Sequence, residues 1–340
     1  IHWNYTDGLS CTLFGEHLDS LTGLTGGGGS GVRLRDGTFL FPVEVTNKKE
    51  KKDVKSASLI IHNSANTPSW NLSKGMSADG CSDPSVVGWK GKLMMMTACD
   101  DGRRRVYEIG DKGESWTEAL GTLSRVWGKK KDKDVKLVRS GFITATIGDV
   151  GDDNRNVMLV TLPVYSKNKE EGNGNEKGEL HLWLTDNTHI VDIGPVSGND
   201  DVAASSLLYK SGNNKEELIA LYEKKTDGKK PSPGMVSVLL TEQLKRVKKV
   251  LTTWKEVDGR VSQLCPTSSA EQDTSSGNAC SAVKITDGLV GFLSNTSTDD
   301  TWKDEYLGVN ATVKGATEGK VTATEKGVTF TGRGARGGVA

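Results

Sequence analysis

The sequence predicts an all-β fold in which small antiparallel sheets repeat around an axis, as in a β-propeller, followed by one long helix and a second β domain. A short hairpin signature, S-x-D-x-G-x-(S/T)-W, occurs at residues 109–116, with Ile109 in place of the opening serine. A faint second copy at residues 63–70 keeps only the Ser-Trp ending. Trp70 and Trp116 lie 46 residues apart, close to the length of one four-stranded propeller blade.

Each residue of the clearer hairpin has a structural role. Asp111 can accept hydrogen bonds from backbone N–H groups two and three residues further on, which closes the turn. Gly113 can adopt the left-handed conformation that the turn requires. Trp116 offers a large flat surface to bury against a neighbouring sheet. We therefore predict that Asp111, Gly113 and Trp116 form a structural Asp-box and not a reactive site.

The overall composition disfavours several classes of function. The 340 residues carry 44 positive and 44 negative side chains, so the chain lacks the excess of clustered cations that binds nucleic acids. No apolar run approaches the roughly 20 residues of a membrane-spanning helix, and the cysteines lack metal-ligand spacing. We expect no nucleic-acid partner, no transmembrane span, no metal and no cofactor. The chain begins at Ile1, so we expect a fragment of a longer protein.

Residues 1–239 are assigned to the propeller because short apolar strands and turn signals alternate along them. A hairpin turn at Asp36-Gly37 joins the first predicted pair of strands. The strands group into four successive units: 32–35, 38–43 and 55–61; 85–87, 93–99 and 106–109; 142–147, 157–164 and 180–185; and 202–209, 217–222 and 235–239.

After the fourth unit the spacing of the apolar residues changes. From Leu240 to Leu264 they recur at steps of three and four, which is typical of an amphipathic helix, here of about 24 residues. Thr241 is a suitable N-cap, and Pro266 ends the pattern. We assign residues 240–265 to a linker helix and residues 266–340 to the truncated beginning of a second β domain.

Cysteines and glycosylation sequons favour an extracellular location. Cys265 and Cys280 flank a loop rich in Ser, Thr and Gly, which favours a disulfide between them in an oxidising compartment. The other cysteines, Cys11, Cys81 and Cys99, are either buried thiols or contain a second bridge. Sequons for N-glycosylation begin at Asn4, Asn71, Asn295 and Asn310.

Several longer stretches closely resemble the trypanosome trans-sialidase superfamily, and the resemblance covers essentially the whole chain. These stretches are Gly-Met-Ser-Ala-Asp-Gly-Cys-Ser-Asp-Pro at 75–84, Arg-Arg-Arg-Val-Tyr-Glu at 103–108, residues 120–127, Leu-Trp-Leu-Thr-Asp-Asn at 182–187, Ser-Ser-Leu-Leu-Tyr-Lys at 205–210, and residues 289–293. The resemblance implies a six-bladed sialidase propeller, of which about four blades are present here. It also implies a long linker helix and the start of a lectin-like, concanavalin A-like β-sandwich.

The resemblance implies a specific chemistry for active members of the superfamily. They cleave terminal sialic acid with retention of configuration, through a tyrosine nucleophile that a glutamate assists, while three arginines hold the sugar's carboxylate. A neutral phenol approaches the carboxylate-bearing anomeric centre with less repulsion than an anionic nucleophile would. The glutamate removes the phenol proton, whose ordinary pKa is about 10, as the bond forms. Guanidinium groups pair with a carboxylate through two parallel hydrogen bonds.

This chain departs from that pattern at nearly every position that it contains. The expected glutamate is Asp83, which is one methylene shorter, and the expected tyrosine is Ala204. The second arginine falls on Ala98 and the third near Lys177. The aromatic residue that would hold the acceptor sugar falls near Asn175. Asp83 is therefore either a degenerate catalytic residue or a polar group that closes the turn before Pro84.

These substitutions decide the predicted function. Because Ala204 has no nucleophilic atom, we expect a non-catalytic relative. The resemblance then implies a GPI-anchored parasite surface glycoprotein that acts in adhesion to host cells or extracellular matrix, in glycan binding and in antigenic variation. The alternative is an active exo-α-sialidase or trans-sialidase that uses rearranged residues. Host-cell surface glycoproteins, matrix and sialylated glycans are the expected partners.

Overall fold

The computed structural model contains four consecutive antiparallel sheets, a long helix and a group of C-terminal strands. It describes residues 21–27, 29–47, 55–63, 70–119, 122–127, 138–148, 155–166, 177–198, 200–212, 215–225, 234–264, 293–298, 301–314, 321–324, 327–330 and 336–339.

The first sheet is antiparallel and has the order β1-β3-β4-β5, with β2 paired to β3. Its strands are β1 (Leu21–Gly26), β2 (Val32–Arg33), β3 (Phe39–Asn47), β4 (Lys55–Asn63) and β5 (Trp70–Leu72). The predicted turn between β2 and β3 is confirmed. Gly37 has a φ of 84°, and the Asp36 carboxylate accepts a hydrogen bond from the Thr38 N–H at 2.9 Å, as in Asx turns.

The second sheet is a four-stranded meander. Its strands are β6 (Cys81–Trp89), β7 (Lys92–Cys99), β8 (Arg104–Gly110) and β9 (Ser115–Glu118). A disulfide joins Cys81, the first residue of β6, to Cys99, the last residue of β7. Of the two alternatives left open by the sequence, the second bridge is therefore the one present. The sheet is followed by the short helix α1 (Thr122–Trp127), which the sequence does not predict because six residues are too few to display a helical period.

The third and fourth sheets are also antiparallel meanders. Their strands are β10 (Phe142–Ile147), β11 (Arg155–Ser166), β12 (Lys177–Thr185) and β13 (Ile190–Pro195), then β14 (Val202–Gly212), β15 (Lys215–Lys224) and β16 (Gly234–Leu239). Strand β13 is not among the predicted strands, because it contains Gly194 and ends on Pro195, both of which are depleted in strands.

The four sheets follow one another as propeller blades, which confirms the predicted fold class. Strand β6 lies beside β3 and β4 on one side and beside β10 on the other, and β10 lies beside β14. The central strand β7 is buried on both faces. Met95 packs toward the first sheet, whereas Met94 and Met96 pack toward the third, as the alternation of side chains along a strand requires.

The predicted helix is present as α2 (Thr241–Leu264). Leu244, Val247, Val250, Trp254 and Val257 form its buried stripe and belong to the same core as the third and fourth sheets. The helix contacts β13 and β15. Within the described residues, no helix is long and apolar enough to cross a membrane.

The C-terminal strands form a sheet of order β17-β18-β19-β22 and a separate hairpin, β20-β21. They are β17 (Leu293–Thr298), β18 (Thr301–Asp304), β19 (Ala311–Lys314), β20 (Val321–Thr324), β21 (Gly327–Phe330) and β22 (Arg336–Val339). The lectin-like character of this part and the domain boundaries at residues 239, 265 and 340 stay predictions.

Candidate functional site

Asp83 lies in β6 at a β-bulge, where the pairing with β7 shifts register between Ser82 and Ser85. Its φ of 52° places it in the left-handed region that few residues other than glycine adopt. The Asp83 N–H donates a hydrogen bond to Glu44 Oε1 at 2.7 Å, and Asp83 Oδ1 accepts one from Arg139 Nη2 at 3.4 Å. The bulge therefore directs Asp83 toward charged groups of two other segments.

Arg139, which precedes β10, connects Asp83 to the beginning of β14. Its backbone carbonyl accepts a hydrogen bond from the Ser205 N–H at 3.2 Å, while its guanidinium group contacts Asp83. Because Ser205 directly follows Ala204, Arg139 lies between the two positions at which the sequence predicts the catalytic pair. The side chains of Arg139 and Asp83 are 36% and 33% exposed, so solvent reaches this ion pair.

Small polar side chains fix the strands around Arg139. Ser85 Oγ donates a hydrogen bond to the Ser140 carbonyl at 3.1 Å. Thr161 Oγ1 accepts one from the Gly141 N–H at 2.9 Å and lies 2.9 Å from Ser205 Oγ. These buried contacts join β6, the segment before β10, β11 and β14, so the position of Arg139 is set by the propeller itself.

A second guanidinium group approaches Asp83 from β8. Arg104 is only 6% exposed and donates a hydrogen bond from Nη2 to the Val138 carbonyl at 2.8 Å. Burial lowers the pKa of Arg104 to about 10, while Tyr165, in its ionised form, and the Asp83 carboxylate act in the opposite direction. Even at this lowered pKa the group stays cationic at neutral pH.

Glu44 adds a second carboxylate. Burial raises the pKa of Glu44, and the adjacent Asp83 carboxylate raises it further, although the hydrogen bond from the Asp83 N–H opposes both effects. We call Glu44, Asp83, Arg104 and Arg139 the central cluster. Its two guanidinium groups could bind a carboxylate, and its carboxylates could accept hydrogen bonds from sugar hydroxyls. Among the described residues, no three His, Cys, Asp or Glu side chains are grouped so that they could hold a metal ion.

Comparisons with known proteins place this chain in a family. Residues 1–223 match the family model for the BNR repeat-like domain, and residues 285–338 match that for the trans-sialidase C-terminal domain. Sialidase 85-1.1 of Trypanosoma cruzi is 36% identical over 306 residues, which are 88% of this chain and 36% of that protein. Another Trypanosoma cruzi sialidase is 36% identical over 231 residues, which are 68% of this chain and 18% of that protein.

A solved structure agrees with the sequence matches. Trypanosoma rangeli sialidase is 32% identical and superposes with a TM-score of 0.68 over 93% of this chain and 46% of that chain. This chain belongs to the trypanosome sialidase and trans-sialidase family. It spans less than half the length of the relatives just named.

In this member of the sialidase family, a methyl group occupies the position at which the sequence comparison expects the tyrosine. Ala204 lies in β14, next to a register shift between Val202 and Ala204 in the pairing with β15, and it is half-buried. Its Cα partner is Glu223. Ala204 directly precedes Ser205, whose N–H donates to the Arg139 carbonyl, and its own side chain supplies no nucleophile.

The other described tyrosines mostly have partners elsewhere. The hydroxyls of Tyr107, Tyr209, Tyr222 and Tyr306 contact the Ala78 N–H, Glu216, Asp200 and Asp258, respectively. Tyr165 in β11 acts on the pKa of Arg104, which it would raise in its ionised form. Tyr165 is half-buried. Its ring packs closely against Gly178, the residue after Lys177, so that a Cβ added at Gly178 would lie 2.9 Å from it.

The two expected arginine positions have different outcomes. Ala98 in β7 is 4% exposed and pairs with Arg104 in β8. The arginine expected at Ala98 is absent, but the neighbouring strand provides a buried guanidinium group directly opposite. Lys177 begins β12 opposite Ser166, and its side chain lies outside the described residues. Asn175 also lies outside them.

Sequence reasoning missed Glu44, Arg104 and Arg139 as members of the site. Alternation along β8 could have shown that the middle residue of Arg103-Arg104-Arg105 faces the opposite side from its neighbours. Alternation along β3 similarly separates Glu44 from Val43 and Val45. For Arg139 the sequence carries no signal, because it lies in a short irregular segment before β10.

The predicted structural Asp-box forms a tight turn between β8 and β9. Residues Asp111–Gly113 make a 3-10 turn, and Gly113 has a φ of 105°. Trp116 Nε1 donates a hydrogen bond to the Gly113 carbonyl at 3.0 Å, and its ring packs against Tyr107 with centroids 5.8 Å apart. The Asp111 side chain lies outside the described residues, so its role in the turn stays a prediction.

The remaining predicted sites are only partly described. Asn71 and Asn310 are exposed, and Asn310 Oδ1 accepts a hydrogen bond from the Asp304 N–H at 3.0 Å. Asn295 lies in β17, and its side chain is outside the described residues. Cys265, Cys280 and Asn4 also lie outside them.

Proposed function

We propose that this chain is part of a sialidase-like surface glycoprotein that binds sialylated glycans but does not cleave them. The observation that carries this proposal is Ala204, because a methyl group has no electron pair with which to attack the anomeric carbon. Asp83 supports it, since its carboxylate lies beside the Arg139 guanidinium group and has no phenol at position 204 to activate.

Binding of an anionic sugar is supported by the two guanidinium groups of the central cluster. Arg104 and Arg139 could both pair with a carboxylate, and sialic acid carries one. A Trypanosoma rangeli sialidase with a TM-score of 0.68 and 32% identity is described in complex with sialic acid. In this chain, the same pairing between guanidinium groups and the carboxylate of the sugar would bind the sugar without cleaving or transferring it.

The location and partners follow from the sequence-based expectations. The sequons and the disulfide favour an extracellular protein, and the proposed location is the cell surface, with a GPI anchor supplied by another part of the whole protein. The proposed roles are adhesion to host-cell surface glycoproteins or extracellular matrix and antigenic variation.

The proposal is tested by measuring binding and turnover on the same sample. The full-length protein is applied to an array of sialylated glycans with their desialylated counterparts as controls, and it is incubated with a fluorogenic sialoside beside Trypanosoma rangeli sialidase as the positive control. We expect retention that requires sialic acid, without hydrolysis above the no-enzyme rate. Hydrolysis by the wild-type protein would overturn the non-catalytic assignment. Equal binding to sialylated and desialylated glycans would overturn the binding assignment.

A second candidate is an active exo-α-sialidase or trans-sialidase with a rearranged nucleophile. It is favoured by the position of Tyr165, which pairs with Gly178 across β11 and β12, next to the expected arginine position Lys177, and which acts on the pKa of Arg104. If the wild-type protein hydrolyses the sialoside, a Tyr165→Phe variant of unchanged melting temperature distinguishes the two routes. Loss of turnover would identify Tyr165 as the nucleophile, whereas unchanged turnover would exclude it.

A further inference from the structure

A buried histidine joins the propeller, helix α2 and the C-terminal segment. His189 lies in the turn between β12 and β13, and its side chain is 5% exposed. Its ring stacks on Trp254 of α2, with centroids 4.8 Å apart and an interplanar angle of 25°. It also packs edge to face against the ring of Tyr306, which follows β18, with centroids 4.3 Å apart.

Both ring nitrogens of His189 face carboxylates. Nδ1 lies 2.8 Å from Asp186 Oδ2, and Nε2 lies 3.2 Å from Asp258 Oδ1. An ionised carboxylate only accepts hydrogen bonds, and a histidine nitrogen can donate only when it carries a hydrogen. Two such contacts therefore require a hydrogen on each nitrogen, which makes the ring an imidazolium ion.

The competing arrangement uses a neutral ring. Arg155 Nη2 lies 3.3 Å from His189 Nδ1 and could donate a hydrogen bond to it. The Asp186 oxygen is nearer to Nδ1, at 2.8 Å. In a neutral ring whose only hydrogen is on Nε2, this oxygen would face the lone pair of Nδ1, which is unfavourable. Arg155 Nη2 carries two hydrogens, of which one is directed to Asp186 Oδ2 at 2.5 Å, so the second hydrogen could reach His189 Nδ1 only at the longer distance of 3.3 Å. The distances favour the imidazolium form.

The charges around the ring balance only when His189 is protonated. Arg155 and Asp186 face it from the third sheet, Asp258 from α2, and Tyr306 from the C-terminal segment, where the Tyr306 hydroxyl contacts Asp258. Two carboxylates then oppose two cations. Removing the proton leaves one excess negative charge in a largely buried cluster, which is unfavourable in a low-dielectric environment.

We propose that protonated His189 is a pH-sensitive pin, which holds α2 and the segment around Tyr306 against the propeller and loosens this joint when it loses its proton. The His189 pin acts beside two further contacts across the joint. The Ile190 N–H donates to the Tyr306 carbonyl at 2.9 Å, and Trp254 Nε1 donates to the Glu305 carbonyl at 2.7 Å.

The electrostatics of the cluster give the direction of the pH effect. Burial alone lowers the pKa of His189, but hydrogen bonds to Asp186 and Asp258 and the charges of these groups outweigh it, so the pKa is raised. Burial raises the pKa of Tyr306, as does its contact with Asp258, so the phenol stays neutral. A raised folded-state pKa stabilises the joint fully below the ordinary histidine value of about 6.5. This contribution is lost as the pH rises through the folded-state pKa.

Two measurements on the full chain test the pin. The ring nitrogens of His189 are titrated by ¹⁵N NMR, and amide hydrogen exchange of Ile190 and of residues 304–309 is followed from pH 6 to pH 10 after correction for the intrinsic rates. We expect His189 to titrate above about 6.5, and the corrected exchange at these amides to increase several-fold across the same transition. His62, whose pKa is lowered first of all by burial, is an internal control that should titrate below the ordinary value.

The Asp258→Asn variant tests the cause of the effect. Nε2 and the Tyr306 hydroxyl both contact Asp258 Oδ1. An amide NH2 group at that position can donate one hydrogen to Nε2 and the other to the Tyr306 oxygen, so a neutral ring becomes compatible with the joint. We expect the titration of His189 to fall by about one pH unit or more, and the exchange transition to move with it. The control Asp192→Asn changes a carboxylate that contacts His181 and should move neither. A wild-type His189 that titrates at or below the ordinary value, or an exchange profile that is identical in Asp258→Asn and wild type, would overturn the proposal.

Discussion

The central cluster and the His189 joint both bring two carboxylates close to two cations, but they do so in different surroundings. In the central cluster the Arg139–Asp83 contact is 3.4 Å long and about one-third exposed on both sides. In the joint, Arg155 contacts Asp186 at 2.5 Å, and the Asp186 side chain is only 11% exposed. The joint also has aromatic rings on two sides of His189.

This difference separates a site that can exchange partners from one that cannot. An exposed ion pair contributes little to stability, because water solvates its members nearly as well as they solvate each other. The Asp83 and Arg139 side chains therefore remain available to a ligand, whereas Arg104 is 6% exposed and held by the Val138 carbonyl. A buried cluster that is fully paired leaves no donor or acceptor for a ligand, and removing one member leaves a buried charge behind. Binding is therefore expected at the central cluster, and structural coupling at the joint.

The largest expected effect is at the joint. Trp254 of α2 is fully buried. Its ring contacts that of His189 and Arg155, whose guanidinium carbon lies 5.3 Å from the centre of the ring. Trp254→Ala should lower the free energy of unfolding by about 3–5 kcal/mol, measured by urea denaturation. The half-buried Trp70 packs edge to face on Phe39, so Trp70→Ala is the control and should cost less. Equal losses for the two variants would contradict the central place given to the joint.

The next effect is expected beside the central cluster. The Cys81–Cys99 disulfide closes a loop with a sequence separation of 18 and joins β6 to β7 two residues before Asp83. The double variant Cys81→Ser/Cys99→Ser should lose about 3 kcal/mol of unfolding free energy, mainly because the unfolded chain gains freedom. The comparison variant is Cys265→Ser/Cys280→Ser, which removes the bridge that the sequence predicts between Cys265 and Cys280. An unfolding free energy unchanged by the Cys81/Cys99 variant would show that this bridge does not restrict the unfolded chain.

The disulfide illustrates where sequence reasoning stops. Strand periodicity predicts most of the blades, and the change of period at Leu240 predicts α2, because both patterns are local. The pairing of Cys81 with Cys99 depends on the register between β6 and β7, which no local pattern supplies. The same holds for Arg104, Arg139 and the His189 joint, most of whose partners lie tens of residues away in the chain. The positions of Asp83 and Ala204 were found only through resemblance to a family.

A charge deletion at the joint is expected to have an intermediate effect. Arg155→Ala removes the cation that contacts Asp186 and lies 3.7 Å from Asp258. Because Asp186 is largely buried, the loss of this charged hydrogen bond should cost about 1.5–3 kcal/mol. His189 would then be the remaining cation beside two carboxylates, so its pKa should rise further, which NMR titration can detect. A fall in the pKa of His189 in this variant would contradict the charge balance assigned to the joint.

The smallest effect on stability is expected for the matched deletion at the central cluster. Arg139→Ala removes the exposed partner of Asp83 and should change the unfolding free energy by no more than about 1 kcal/mol, because water replaces the guanidinium group. Retention on sialylated glycans should nevertheless decrease, since one of the two proposed carboxylate-binding groups is gone. Arg155→Ala, in contrast, should destabilise the fold while glycan retention persists under conditions where the protein is folded. If Arg139→Ala destabilised the protein as much as Arg155→Ala and left retention unchanged, the central cluster would be a structural element like the joint, and the binding site would have to lie elsewhere.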